Sequence, residues 1–169
     1  NNLLLFFGLV ILSAYLLKSW LTNPRGIRQV DYLKLHLPIL SDFFRTLYTA
    51  RFARTLALLY SSGVPLLSAL QLTGESVGNI LVAETVEKTQ AAIEAGDNLS
   101  DCLRVNPYFL DAAIGMVAAG EESGKLDQML QKVADFYEHK VNTKLEALTS
   151  TIEPLIMIRV GLLIGIMIL

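Results

Sequence analysis

The chain has 169 residues, of which 53% are hydrophobic and 8% aromatic, and its mean hydropathy is +0.47. These values exclude an ordinary soluble domain of this length and assign part of the chain to a membrane. The formal net charge is −2, and the single cysteine, Cys102, excludes an internal disulfide.

The apolar excess sits in two runs, residues 3–17 and residues 155–169. Each run has 15 residues, or about 22 Å as a helix, against a hydrocarbon core of about 30 Å. We therefore expect a fragment of a longer protein, cut inside two transmembrane helices at residues 1–21 and 152–169. The alternative for the first run is a secretory signal, which would need its basic residues before the apolar core rather than after it.

Basic residues flank both runs on their inner sides. The first run is followed closely by Lys18, Arg25, Arg28 and Lys34, with only Asp31 opposing them, and the second is preceded by Lys140 and Lys144. By the positive-inside rule, residues 18–154 are predicted to be cytoplasmic, with a basic juxtamembrane segment at residues 22–41.

Between the runs, apolar residues recur at threes and fours, which predicts helices rather than strands. Breaks fall at SSGVP (61–65), VGN (77–79), AGDNLS (95–100) and NPY (106–108). Gly63 is predicted to be a left-handed cap, Pro65 to open the next helix, and Asn98 or Ser100 to cap a later one. The prediction is an all-α fold: an antiparallel six-helix cytoplasmic bundle at residues 42–151, flanked by two transmembrane helices.

The last helix carries the clearest seam. Its apolar positions are Leu126, Met129, Leu130, Val133, Tyr137, Val141, Leu145, Leu148 and Ile152. No breaker interrupts them before Pro154, so we expect one long helix that leads from the bundle into the membrane, with a kink at Pro154.

The stretch GEESG, residues 120–124, places two adjacent carboxylates between glycines. Its simplest interpretation is a helix-helix corner, in which one helix ends near Gly120 to Glu122 and Ser123 or Gly124 caps the next. Asp127 then lies in the new helix's first turn, where the helix dipole favours negative charge. This interpretation leaves the acidic pair itself unexplained.

Little in the sequence supports a nucleotide-binding, catalytic or metal-binding site. Three residues lie between Gly120 and Gly124, where a phosphate-binding loop needs four, and Leu126 rather than Ser or Thr follows Lys125, so such a loop is excluded. Adjacent carboxylates on a helix diverge by about 100° and make a poor catalytic pair. No spacing of cysteine and histidine residues fits a zinc site, and no cofactor is expected. A hard cation stays an alternative if Glu75 or Asp127 approaches the pair.

Two long stretches carry a resemblance to a known family: ARFARTLALLYSSGVPLLSALQLTGESVGN (50–79) and GMVAAGEESGKLDQMLQKVADFYEHKV (115–141), followed by EPLIMI. They resemble the inner-membrane platform family of bacterial type II secretion and type IV pilus systems, which comprises the secretion system F protein and the pilus platform C protein. The positions that match its pattern are Gly63, Pro65, Leu66, Gly120, Glu121, Glu122, Gly124, Leu126 and Asp127. The main departure is Arg159, a charge inside the last apolar run.

This resemblance implies a multi-pass protein of the bacterial inner membrane, with two related six-helix cytoplasmic domains and three membrane spans. The chain would be the second domain, with the span before it and the start of the last one. Members are not known as enzymes. They are thought to couple a cytoplasmic hexameric ATPase to the pilin or pseudopilin subunits lifted from the membrane, beside other inner-membrane assembly proteins.

Basic and acidic residues are unevenly distributed along the chain, an observation that does not depend on the resemblance. Residues 18–54 hold seven Lys or Arg against two Asp or Glu, whereas residues 55–154 hold six against fourteen. The basic part is expected beside anionic lipid headgroups, which disfavours nucleic-acid binding. The acidic part, with Glu75, Glu121, Glu122 and Asp127 as candidate contacts, is expected to face a basic partner, the alternative being a solubilising face.

Three classes of function follow from these observations: an assembly platform, which the linked motifs favour, a membrane-bound enzyme with an acidic site, and a transporter fragment. The glycine pair Gly161 and Gly165 predicts close packing of the last membrane helix, either against the first span or against a second subunit in a homo-oligomer.

Overall fold

A computed structural model describes residues 24–38 and 40–168. These residues form seven helices, which we label α1 (Pro24–His36), α2 (Ser41–Ser61), α3 (Leu66–Ser76), α4 (Ile80–Glu94), α5 (Leu99–Arg104), α6 (Asp111–Ser123) and α7 (Leu126–Ile168). No strand occurs in this part of the chain, so the all-helical prediction is confirmed. Helix α1 lies within the basic segment, ahead of the six helices that were expected from residue 42.

The first turn of the bundle shows how local sequence ends one helix and starts another. Gly63 has a φ of +85°, a left-handed conformation that glycine adopts without steric strain and that other residues adopt only with strain. Its amide donates to the Tyr60 carbonyl, and the Val64 amide donates to the Leu59 carbonyl, which together close α2. Pro65 then precedes the first residue of α3, with an extended ψ of 142°.

Helices α2 and α7 pack against each other over the greatest length and run antiparallel. The Lys144 ammonium lies 2.6 Å from an Asp42 carboxylate oxygen, and the Arg54 guanidinium lies 2.6 Å from a Glu138 oxygen. Residue numbers rise along α2 from Asp42 to Arg54 while those of their partners fall along α7 from Lys144 to Glu138, so the helices are antiparallel. The two ion pairs also fix the relative register of the helices. The buried cluster at this contact combines the small side chains of Ala50, Ala53 and Ala134 with the larger ones of Val133, Tyr137 and Val141.

A larger apolar core lies on the other side of α2. It joins α2 to α3, α4, α5, α6 and the first turns of α7. Its most deeply buried members, each 0% exposed, are Leu56, Ala69, Leu70, Val82 and Leu130. The short helices therefore form a layer against α2, which has buried residues in both cores.

The apolar seam of α7 is buried only over part of its predicted length. Leu126, Leu130, Val133, Tyr137 and Val141 are buried, but the next position, Leu145, is 45% exposed. Since α2 begins at Ser41 and its first turn lies beside Lys144, no part of α2 extends far enough to cover Leu145. The helix itself continues through position 154, so Pro154 does not end it.

Of the two predicted membrane segments, residues 1–21 lie outside the described residues. Among the residues described, no helix has both the length and the apolar content that are needed to cross a bilayer.

Replacement of Leu130 by Asp is expected to destabilise the bundle. The side chain is 0% exposed, so the substitution buries a charge without a partner and is expected to cost about 3 kcal/mol or more. The matched control is Gln128→Asp, at an exposed position two residues earlier in the same helix. Thermal unfolding followed by circular dichroism measures the difference, and equal midpoints for the two variants would contradict the core assignment.

Candidate functional site

The acidic corner, residues Gly120 to Asp127, joins α6 to α7. Helix α6 ends at Ser123, and Gly124 closes it in the left-handed conformation with a φ of +68°. The Lys125 amide donates to the Gly120 carbonyl at 2.8 Å, which satisfies an otherwise unpaired group at the helix end. The corner therefore needs a residue that adopts positive φ at position 124.

One detail of the predicted corner is wrong. Ser123 does not cap α7, because it is the last residue of α6 and its hydroxyl donates back to the Ala119 carbonyl at 2.6 Å. Helix α6 ends at Ser123, one residue beyond the predicted range of Gly120 to Glu122, so Gly120 lies inside the helix. Gly120 instead allows close packing: a β-carbon there would lie 2.9 Å from the Met129 β-carbon, so a side chain would force α6 and α7 apart.

Glu121 caps a different helix. Its carboxylate accepts hydrogen bonds from the backbone amides of Leu99 at 2.7 Å and Ser100 at 3.0 Å, at the start of α5. Carboxylates are stabilising there because the first amides of a helix have no partner within it. The predicted N-cap position is confirmed, because Asn98 is the N-cap residue of α5. Its side chain makes no capping hydrogen bond, however, and Ser100 takes part only through its amide.

Glu122 points outward, although it follows Glu121 directly. It is exposed, as is Asp127 in the first turn of α7. The two adjacent glutamates therefore have different environments: the Glu121 carboxylate holds α5 in place and the Glu122 carboxylate is exposed to solvent.

Glu75 lies apart from the acidic corner. It lines a groove of about 560 Å³ between α3 and α4, together with Glu84 and Glu87 and the apolar side chains of Leu70, Ile80 and Val86. Glu84 is already paired, because the Arg28 guanidinium of α1 donates to both of its carboxylate oxygens at 2.8 and 3.1 Å. Among the described residues, no group of three or more acidic, histidine or cysteine side chains could hold a metal ion.

A second interhelical cap, which the sequence did not reveal, lies at the start of α4. Asp31 of α1 is buried and accepts a hydrogen bond from the Ile80 amide at 2.9 Å. The Asn79 side chain accepts from the next two amides, those of Leu81 at 2.9 Å and Val82 at 3.2 Å. An asparagine ahead of an apolar run is a recognisable cap signal, whereas nothing in the sequence connects Asp31 with a helix 49 residues further on.

The most closely associated charges occur where Arg54 of α2 meets α7. Its guanidinium donates to Glu138 at 2.7 and 2.6 Å and to Asp135 at 2.6 Å. The hydrogen bond from Arg54 holds the pKa of the Glu138 carboxyl below its usual value, and the two carboxylates raise the pKa of Arg54. This arrangement is structural, because both pKa shifts favour the charged forms of Arg54 and Glu138.

The one cysteine is unsuited to nucleophilic chemistry. Burial raises the pKa of the Cys102 thiol, and the nearby negative charges of Asp97 and Asp101 raise it further. A reactive cysteine needs the opposite, a cationic environment that favours the thiolate.

Removal of the Glu121 carboxylate is expected to weaken the α5 end of the bundle. Glu121→Ala leaves two amides without their acceptor and is expected to cost about 1–3 kcal/mol, whereas Glu122→Ala at the exposed neighbour is expected to change stability by less than about 0.5 kcal/mol. Urea unfolding gives the two values, and amide exchange at Leu99 and Ser100 localises the effect. If both variants unfolded at the same urea concentration, the capping role would be refuted.

The Arg54–Glu138 pair predicts a pH dependence of stability. Because the pKa of Glu138 is lower in the folded than in the unfolded protein, the pair contributes above the unfolded value of about 4.3 and loses its contribution as pH falls through the folded value. The Glu138 side chain is 44% exposed, so the effect is expected to stay below about 1 kcal/mol.

The measurement is the free energy of unfolding of Glu138→Gln and of the unsubstituted protein, taken from pH 7 to pH 3. At pH 7 the Glu138→Gln variant is expected to have the lower free energy of unfolding, and its difference from the unsubstituted protein should shrink toward pH 3. Glu146→Gln, at an exposed position of the same helix, should show no difference at either pH. A difference for Glu138→Gln that did not vary with pH would contradict the assignment.

The described residues thus define a helical domain held together by carboxylate caps and interhelical ion pairs, with acidic groups left exposed at one corner. Residues 52–169 match the family described as Type II secretion system (T2SS), protein F. The chain belongs to this family.

Curated relatives carry names from two kinds of machinery. The chain is 42% identical over 166 residues to the type IV pilus assembly protein PilC of Thermus thermophilus, an alignment that covers 98% of this chain and 40% of the relative. It is 36% identical over 143 residues to PilC of Myxococcus xanthus, an alignment that covers 85% of this chain and 34% of that relative. It is 31% identical over 153 residues to the type II secretion system protein F of Aeromonas hydrophila, an alignment that covers 90% of this chain and 39% of that relative. The chain therefore spans well under half of the length of these relatives.

Proposed function

We propose that the chain is part of a non-enzymatic assembly platform in the bacterial inner membrane, which couples a cytoplasmic ATPase to the assembly of pilin or pseudopilin subunits. The observation that carries this proposal is membership of the secretion system F family, together with relatives named for pilus assembly. The geometry agrees with it, since the acidic corner presents exposed charge on a rigid frame rather than a set of converging catalytic groups.

Helix α7 supplies a mechanical link for such a role. It has 43 residues, a length of about 65 Å, and it begins at the acidic corner and ends in the apolar run. In the proposed platform, residues 1–21 and 152–169 cross the membrane and the helices between them lie in the cytoplasm. A force applied at the corner would then reach the membrane through one continuous helix.

Glu122 and Asp127 are the side chains that we propose to contact the basic surface of a partner, while Glu121 holds α5. Glu75 belongs to a separate acidic groove and is proposed as an independent contact. Gly161 and Gly165 lie one turn apart in α7, and we propose that they pack this helix against a second membrane helix or a second subunit.

The test is charge reversal in the full-length protein. Glu122→Lys with Asp127→Lys is expected to abolish assembly of the fibre and co-purification with the ATPase, because charge complementarity guides such docking. The fold should persist, since a lysine near the end of α6 and one near the start of α7 have opposite effects on the helix dipoles.

The matched control is Glu94→Lys with Glu146→Lys, which reverses two exposed carboxylates away from the corner and changes the net charge equally. Circular dichroism and membrane fractionation establish that both variants fold and insert. Retained assembly in the corner variant would contradict the docking role, and loss in both variants would assign the effect to net charge.

A further inference from the structure

The exposed face of α7 carries two lysines on either side of an aromatic ring. Lys132, Phe136 and Lys140 are spaced four residues apart, so they lie on one side of the helix along about 12 Å. All three are exposed, Phe136 by 49%, and the Lys140 ammonium lies 4.8 Å from the centre of the Phe136 ring. We call these three residues the basic stripe.

No carboxylate of the described residues forms an ion pair with the basic stripe. Asp135 and Glu138 of the same helix accept hydrogen bonds from Arg54 and therefore lie toward α2. Asp111, at the start of α6, is exposed and is not part of an ion pair either. The stripe thus presents two unpaired cations and an exposed aromatic side chain, a combination that is enriched where proteins bind one another.

The groove between α3 and α4 has an apolar floor. Leu70 and Val86 line it and are 0% and 1% exposed. Gly74 leaves room above this floor, since it has no side chain and even a β-carbon there would lie 3.4 Å from the Val86 side chain. The volume of about 560 Å³ is large enough to receive an aromatic ring.

The rim of this groove is acidic. Glu75 and Glu87 are exposed and form no ion pair within the described part of the chain, whereas Glu84 is held by Arg28. Lys88 follows Glu87 but does not neutralise it here, because Lys88 lines a separate cavity between α4 and α5. The groove therefore offers what the basic stripe lacks, two unpaired carboxylates around an apolar floor.

The stripe and the groove lie on opposite sides of α2. Helix α7 packs on the side of α2 that bears Ala50 and Ala53, whereas α3 and α4 pack on the side that bears Phe52 and Leu56. Each surface faces away from the bundle on its own side. They cannot meet within one molecule, so their complementary charges can be matched only between molecules.

The two surfaces also lie at nearly the same height along α2. Arg54 pairs with Glu138, which is two residues from Phe136. Arg51, three residues earlier in α2, donates to the Val77 carbonyl at 3.5 Å, in the turn that joins α3 to α4. Three residues of helix correspond to about 4.5 Å. Two copies that stand side by side with parallel α2 helices therefore bring the stripe of one to the level of the groove of the other.

We infer that the basic stripe of one copy binds in the α3–α4 groove of a second copy, so that the chain associates head to tail. Phe136 enters the space above Gly74, and the two lysines meet Glu75 and Glu87. Because the two contact surfaces differ, the contact repeats into a closed ring or an open row. The inference rests on the proposed function only in that it gives Glu75, an independent contact there, its partner.

A second copy is the occupant that the charges select. Residues 55–154 hold six basic against fourteen acidic residues, so most of the bundle surface would repel the rim of the groove. The basic stripe is an exception that matches the groove in sign of charge, in its apolar centre and in height. No further protein is needed to satisfy either surface.

Cross-linking of the full-length protein in membranes tests the inference. All cysteines are first replaced by serine, Cys102 among them. His139→Cys then places a thiol beside the basic stripe, at an exposed position that leaves its three residues intact, and Gln71→Cys places one in the groove. A short bifunctional maleimide is expected to join positions 71 and 139 of different molecules, which gives dimers and higher species on a denaturing gel.

Leu72→Cys replaces Gln71→Cys in the matched control. Leu72 is the next residue of α3 and is 45% exposed, but it does not line the groove, so little cross-linking to position 139 is expected. No cross-link at position 71, or equal yields at positions 71 and 72, would overturn the inference. Cross-linking of His139→Cys alone would also overturn it, because that result requires a symmetric contact through α7.

Exchange of the charges supplies the second readout. Glu75→Lys with Glu87→Lys is expected to lower the yield between positions 71 and 139 by about tenfold or more, because like charges would then face each other. Lys132→Glu with Lys140→Glu should have the same effect. The variant with all four substitutions restores opposite charges and should regain the yield, with circular dichroism confirming that each variant is folded. Failure of the fourfold variant to regain it would overturn the pairing.

The acidic corner separates this inference from the proposed docking of a partner. Glu122→Lys with Asp127→Lys, introduced into the cysteine pair, should leave the yield between positions 71 and 139 unchanged. Retained fibre assembly with that yield intact would contradict the docking role and support the inference. Loss of fibre assembly in a protein that shows no cross-link between positions 71 and 139 before the corner is changed would overturn the inference and leave the docking role in place.

Discussion

The antiparallel pairing of α2 with α7 is the constraint on which the rest of the structure depends. Two ion pairs, Asp42–Lys144 and Arg54–Glu138, join the helices at two levels, 12 residues apart along α2 and six apart along α7, and buried alanines allow the backbones to approach each other. The charged groups are partly exposed, so burial of apolar surface supplies most of the stabilisation and the ion pairs chiefly select the register. The register in turn decides which end of the bundle lies nearest the apolar run of α7.

Helix ends that are capped from a distance make up the second level of organisation. Helix α5 has six residues and would not be stable alone. It is held because Glu121 of α6 accepts hydrogen bonds from its first amides. Asp31 of α1 acts in the same way on α4. Each carboxylate makes the position of a short helix depend on a helix that is remote in sequence, so the layer against α2 is ordered as a unit.

This organisation gives the acidic corner two separate tasks. Glu121 faces inward and stabilises the bundle, while Glu122 and Asp127 are exposed on its surface. In the proposed platform, a docking surface of this kind has to stay in place when a partner pulls on it. The cap on α5 and the close packing of Gly120 against Met129 provide that rigidity at the point where α7 begins.

The sequence by itself determined the helical class, the breaks at its glycines and prolines, the continuity of α7 and the family, because these depend on local backbone preference, on apolar periodicity and on linked motifs. It could not separate Glu121 from Glu122, since adjacent identical residues acquire different roles only when another helix approaches one of them. It also could not reveal the Asp31 cap, which joins residues 49 positions apart, or the exposure of Leu145, whose position continues a buried seam. Tertiary structure decided these features because each depends on where a second helix begins or ends, and no local pattern records that distance.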